Sequence, residues 1–131
     1  MSETAERNKR NRRAGQRWQA TLREGFRGAG LDAEELKLAG REDEGDLVIR
    51  QPPTSGEPGR FVVIEAKAGA LKPAEFVTEA AIEGQHFAAH RGLPADRVTA
   101  VAVVKRRGAS WRHAYVLTTV GDYFGLDGEA A

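Results

Sequence analysis

The chain has 131 residues, no cysteine and a formal net charge of +1. That length suits one domain with a real core, and the absence of cysteine excludes disulfides, thiolate metal sites and a cysteine nucleophile. With 40% hydrophobic and 30% charged residues the composition is that of an ordinary globular protein, and it holds no apolar run long enough to cross a bilayer.

Residues 1–10 are polar and basic and read as a flexible leader, with 11–131 as a single domain. The leader has no apolar stretch of the kind a secretory signal needs, so a cytoplasmic protein is expected. Trp18, Leu22 and Phe26 recur every four residues, which predicts a helix over Arg12 to Arg27 ended by Gly28 and Gly30. A short strand is expected at Glu35 to Leu38, a turn at Arg41 to Gly45, and a firmer strand at Asp46 to Arg50. Gln51 to Arg60 holds three prolines and two glycines and reads as a loop. Phe61 to Lys67 is apolar until its last residues, as in a central strand covered on both faces. Proline in a first turn with Phe76, Ala80 and Phe87 on one face predicts a helix over Pro73 to His90. A strand over Arg97 to Lys105, a turn at Arg106 to Trp111, a strand from Tyr115 to Val120 and a short helix from Gly121 to Leu126 complete the chain. The order predicts an α/β fold, a central mixed sheet flanked by helices.

The near-neutral charge conceals an uneven layout. Eight of the 20 Lys and Arg residues lie in the first 27 positions, opposed there only by Glu3, Glu6 and Glu24. Lys105, Arg106, Arg107 and Arg112 form a second basic cluster, and Glu42-Asp43-Glu44-Gly45-Asp46 an acidic stretch between them. Basic ends around an acidic centre suit a polyanion held against bound cations. A solvated tail and a charged turn would give the same counts.

The chemistry-bearing residues are Asp46, Glu65 and Lys67. Residues two apart in a strand share a face, so Glu65 and Lys67 stand together at the end of the most apolar strand. Burying both charges costs several kcal/mol unless each is partnered. If 46–50 and 61–67 pair antiparallel, Asp46 falls beside Glu65. Two carboxylates and the backbone carbonyl of Ala66 then make a hard oxygen site suited to Mg²⁺ or Mn²⁺. A lone Glu-x-Lys is ordinarily a surface ion pair of little worth. The preceding Gly-Asp-Leu-Val-Ile strand and the apolar run favour the metal site here.

Gly45-Asp46-Leu47-Val48 and Val63-Ile64-Glu65-Ala66-Lys67-Ala68-Gly69 resemble the core motif of the PD-(D/E)XK nuclease superfamily. The resemblance covers about residues 11 to 124. Within the superfamily the chain is most similar to small Holliday-junction resolvases and phage-type recombination nucleases, through Arg13-Ala14-Gly15. Four residues beyond Gly15 stands Gln19, where that family usually has Glu; one turn further, Glu24 could substitute for it. The resemblance implies a restriction-endonuclease-like core and a Mg²⁺- or Mn²⁺-dependent endonuclease. Asp46, Glu65 and the Ala66 carbonyl would hold the metal, and Lys67, Gln85 and Gln19 would assist. Glu79 and Glu83 are weaker choices than Gln85. Arg10, Arg12, Arg13, Arg17, Lys105, Arg106 and Arg107 would contact DNA phosphates. The expected substrate is branched DNA in recombination or repair, and the expected assembly a homodimer. A nucleoid-associated and even phage-encoded protein fits this reading. The rival readings are a DNA-binding protein with a decayed nuclease site and a repair or restriction-type endonuclease.

Other candidates are weaker. His86 and His90, spaced i, i+4, could share a zinc ion but have no adjacent glutamate or cysteine. Trp18 reads as a core anchor. Trp111 reads either as a wedge against bases or as a cap on the sheet.

Overall fold

The computed structural model describes residues 2–37 and 43–126. Its elements, in chain order, are helix α1 (Glu3–Gly28), strands β1 (Asp32–Glu35), β2 (Leu47–Gln51) and β3 (Arg60–Lys67), helix α2 (Pro73–His90), strands β4 (Val98–Val104) and β5 (Tyr115–Leu117), and helix α3 (Val120–Phe124). Short 3₁₀ turns precede β4 and β5. The sheet runs β1-β2-β3-β4-β5. It is antiparallel except for β3 and β4, which lie parallel because α2 carries the chain back between them.

The expected element order and mixed sheet are present. The largest difference is α1, which begins at Glu3 instead of Arg12. Its first half has no apolar period. It is helical through good helix formers, through Ser2, whose hydroxyl accepts the Ala5 N–H at 3.1 Å, and through Glu3 and Glu6 in the first turn. The first strand covers Asp32–Glu35, not Glu35 to Leu38. Leu38, Arg41 and Glu42, at the ends of that expected strand and turn, lie outside the described residues. The last strand stops at Leu117, where Thr119 caps α3 through the Asp122 N–H.

The alternation of strand side chains divides the core into two layers. On one face Leu47, Ile49, Ile64, Val101 and Val103 pack against Trp18 and Leu22 of α1. On the other, Val48 and Val63 meet Phe87, and Ala102 and Val104 meet Phe76 and Ala80, all from α2. Gly84 lets α2 approach β4, because a Cβ there would stand 2.8 Å from that of Ala100. Glu65 and Lys67 alternate with Ile64 and the partly buried Ala66, which pack on the α1 side, and so face α2.

Candidate functional site

The register of β2 and β3 pairs Leu47 with Ile64, and the Asp46 N–H donates to the Ile64 carbonyl at 3.0 Å. One step further along this ladder places Asp46 beside Glu65, as the antiparallel reading requires. The Asp46 carboxylate accepts the Ala66 N–H at 2.8 Å. The N–H and carbonyl of one strand residue point to the same edge, so Ala66 turns its carbonyl toward Asp46 as well.

Gly45 makes this entry possible. It has φ +103°, and a Cβ would lie 2.9 Å from Val63 Cγ1. Any other residue would both strain the backbone and push the acidic loop off β3.

Lys67 Nζ lies 2.6 Å from Glu79 Oε2 and 3.6 Å from Glu65 Oε1, and 5.0 Å from the centre of the Phe76 ring. Glu79 therefore belongs to the site. Glu83 belongs to it too, because its carboxyl is near enough to Glu65 to share a proton. As anions, Glu65 Oε2 and Glu83 Oε2 are buried without a donor.

This crowding sets the protonation states. Burial, then the Glu65 charge, pushes Asp46 up to about 7. Burial, then the neighbouring Glu83, pushes Glu65 up to about 9. Burial, above all, also raises Glu83. For Lys67, burial alone would lower the pKa, but Glu79 and Glu65 outweigh it and hold the amine cationic. Three acids with raised pKa thus face one another, and a fourth, Glu79, pairs with the lysine among them.

Gln85 is not at this site. It is exposed on the opposite side of α2 and lines a cavity with Arg60, Thr99 and Asp122. The helical period explains this placement: Glu83 lies seven residues after Phe76 and four before Phe87, on the inward face, whereas Gln85 is turned about half a revolution away. Gln19 lies on α1, across the sheet from Glu65. Its amide reaches the backbone carbonyl of Asp46 at 3.4 Å, not the carboxylate. Glu24 does not replace it, being exposed and paired with Arg23 at 3.1 Å.

The basic residues divide into two groups around the site. Arg10, Arg12, Arg13 and Arg17 are exposed on α1, and none is in an ion pair among the described residues. Trp18 Nε1 donates to the Val103 carbonyl at 3.1 Å, so α1 leaves the body at the end of the sheet that bears Lys67. Lys105, Arg106 and Arg107 are exposed in the turn after β4. The Lys105 N–H donates to the Lys67 carbonyl at 2.9 Å, which brings this turn to the same end.

Trp111 is a cap. Its indole fills the space over Gly25 and meets Phe26 edge-on at 5.4 Å. His86 and His90 do not converge on an ion: His86 Nδ1 contacts the Asp43 carbonyl at 2.9 Å and His90 Nδ1 the Glu44 carboxylate at 2.7 Å.

Among the described residues, no three His, Asp or Glu side chains form a ready metal chelate. The donor set is two adjacent carboxylates with a backbone carbonyl. The donorless oxygens of Glu65 and Glu83 and the raised acids fit a cation, which would relieve their mutual repulsion. Comparison with known families, curated proteins and solved structures finds no match.

Proposed function

We propose that this chain is a Mg²⁺- or Mn²⁺-dependent DNA endonuclease of the restriction-endonuclease-like fold, hydrolysing phosphodiester bonds. The observation that carries the reading is the juxtaposition of Asp46 and Glu65 across β2 and β3, with Lys67 on the same face. Asp46, Glu65 and the Ala66 carbonyl would hold the metal. When bound, the ion would polarise a phosphoryl oxygen and lower the pKa of a coordinated water. Lys67, kept cationic by Glu79 and Glu65, stabilises the negative charge that builds on the phosphate as it is attacked. It does not serve as the base, since a held proton cannot accept another. Glu79 orients that ammonium, and Glu83 takes the supporting place on α2.

The arginines of α1 and the Lys105–Arg107 turn flank this centre and would neutralise backbone phosphates. A four-way junction is the proposed substrate, in recombination or repair. Two symmetric nicks need two centres, so the active form would be a homodimer. Exposed Tyr115, Val116, Val120, Tyr123 and Phe124 at the β5 edge and α3 offer apolar surface for it.

The test offers the protein a four-way junction, a linear duplex and single strands, each with Mg²⁺ or with EDTA. Mg²⁺-dependent nicking of the junction in preference to the duplex supports the full reading. Duplex cutting alone would favour a repair or restriction-type nuclease. Binding without cutting would favour a decayed site, the reading that Gln19 supports by offering no carboxylate on α1.

A further inference from the structure

Among the described residues, Glu44 is the buried charged side chain that the proposed chemistry does not use. It is 6% exposed and lies two residues before Asp46. Its Oε2 accepts from Arg91 Nη1 and lies 2.7 Å from His90 Nδ1. Arg91 is itself fixed to the core, with its guanidinium 3.8 Å from the centre of the Phe87 ring and Nη1 3.4 Å from the Phe87 carbonyl. One turn earlier, His86 holds the Asp43 carbonyl. Asp43 in turn accepts the Gly45 N–H at 3.2 Å.

Four consecutive residues are thereby anchored. Asp43 and Glu44 are tied to the last turns of α2. Gly45 is seated against Val63 in a conformation that favours glycine. Asp46 is tied to Ile64 and Ala66 of β3. A buried ion pair is seldom the cheapest way to fill a space, since apolar residues of like volume do as well or better. What it supplies here is direction. A charged clasp accepts one geometry, whereas apolar contacts tolerate sliding.

We propose that Glu44 is a positioning residue: clasped by Arg91 and His90 at the end of α2, it fixes the backbone that presents Asp46 to Glu65. The inference rests on the reading of Asp46 as a metal ligand, and it adds a residue outside the core motif that decides whether the ligand is in place. Residues that orient a ligand without touching the ion typically change metal affinity by about 10- to 100-fold.

The experiment measures two quantities on the full chain, for the parent and for Glu44→Gln. One is Mn²⁺ affinity by calorimetry, and the other is backbone hydrogen exchange without metal. The inference expects Mn²⁺ affinity to fall roughly 10- to 100-fold. It also expects faster exchange at the Gly45 and Asp46 amides, with β4 amides such as Val101 and Val103 unchanged. Arg91→Ala, at a half-exposed side chain, gives the same pattern to a smaller degree and serves if Glu44→Gln does not fold. Unchanged Mn²⁺ affinity with unchanged Asp46 exchange overturns the inference. So does faster exchange spread evenly over the sheet, the mark of a merely stabilising contact. If the parent takes up no Mn²⁺, the metal reading fails, and the exchange pattern alone decides whether Glu44 positions Asp46.

Discussion

The carboxylate of Asp46 accepts the backbone N–H of Ala66 at 2.8 Å, so the first acid of the site is bonded to the residue between the second acid and the lysine. This bond lowers the Asp46 pKa, yet burial and the Glu65 charge outweigh it. The site is therefore built at a cost in stability that a bound cation would offset.

That cost has a sign in pH. Folded Asp46 and Glu65 hold their protons up to about 7 and about 9, above their ordinary values of 3.8 and 4.5. Between about pH 4 and 9 the folded state binds more protons than the unfolded one, so stability falls as pH rises. Without metal, the melting temperature should decline from pH 5 to pH 9. Asp46→Asn with Glu65→Gln should flatten that decline and raise stability at pH 8 by on the order of 2 kcal/mol. Added Mn²⁺ should stabilise the parent and not the double variant. Thermal melts across pH, with EDTA or Mn²⁺, check all three.

Lys67 acts as a fixed positive charge. Lys67→Met should lower single-turnover cleavage by roughly 10²- to 10³-fold and leave junction affinity within a few-fold. Equal losses in binding and cleavage would mean that Lys67 serves chiefly to hold DNA.

Glu83 of α2, not Gln85, lies beside Glu65, and on the proposed reading it would support the centre. Glu83→Gln should reduce Mg²⁺-dependent cleavage at least about tenfold, whereas Gln85→Ala should leave it unchanged. The reverse ranking, in the same cleavage assay, would return the supporting role to Gln85.

No residue of α1 before Trp18 is buried, so on the proposed reading the first half of this helix would contact DNA and add little to the fold. A chain lacking residues 2–13 should melt within a few degrees of the parent. Replacing Arg10, Arg12, Arg13 and Arg17 by alanine should reduce the slope of log affinity against log salt by about 3 to 4. An unchanged slope would place the phosphate contacts elsewhere.

The sheet and its acids were legible because strand period and apolar runs are strong local signals. Val62, Val63 and Ile64 announced a central strand, and the two-residue spacing put Glu65 and Lys67 on one face. Glu83 is legible as well, through its spacing from Phe76 and Phe87, whereas the family resemblance implies a polar residue of the kind Gln85 supplies. The helical start of α1 was hidden, since a helix that packs against nothing shows no apolar period. Glu44 was hidden for another reason. Its partners His90 and Arg91 lie more than 45 residues away, and an acidic run in sequence does not reveal which of its members turns inward.

On the proposed function, Asp46 and Glu65 together would hold a catalytic metal. The most direct test is single-turnover cleavage of a four-way junction in Mg²⁺ by the parent, Asp46→Asn and Glu65→Gln, with junction affinity measured alongside. The parent should cleave, neither variant should cleave detectably, EDTA should abolish cleavage, and affinity should be similar in all three. Cleavage by Asp46→Asn or Glu65→Gln at the parent's rate, or by the parent in EDTA, would contradict the proposed function.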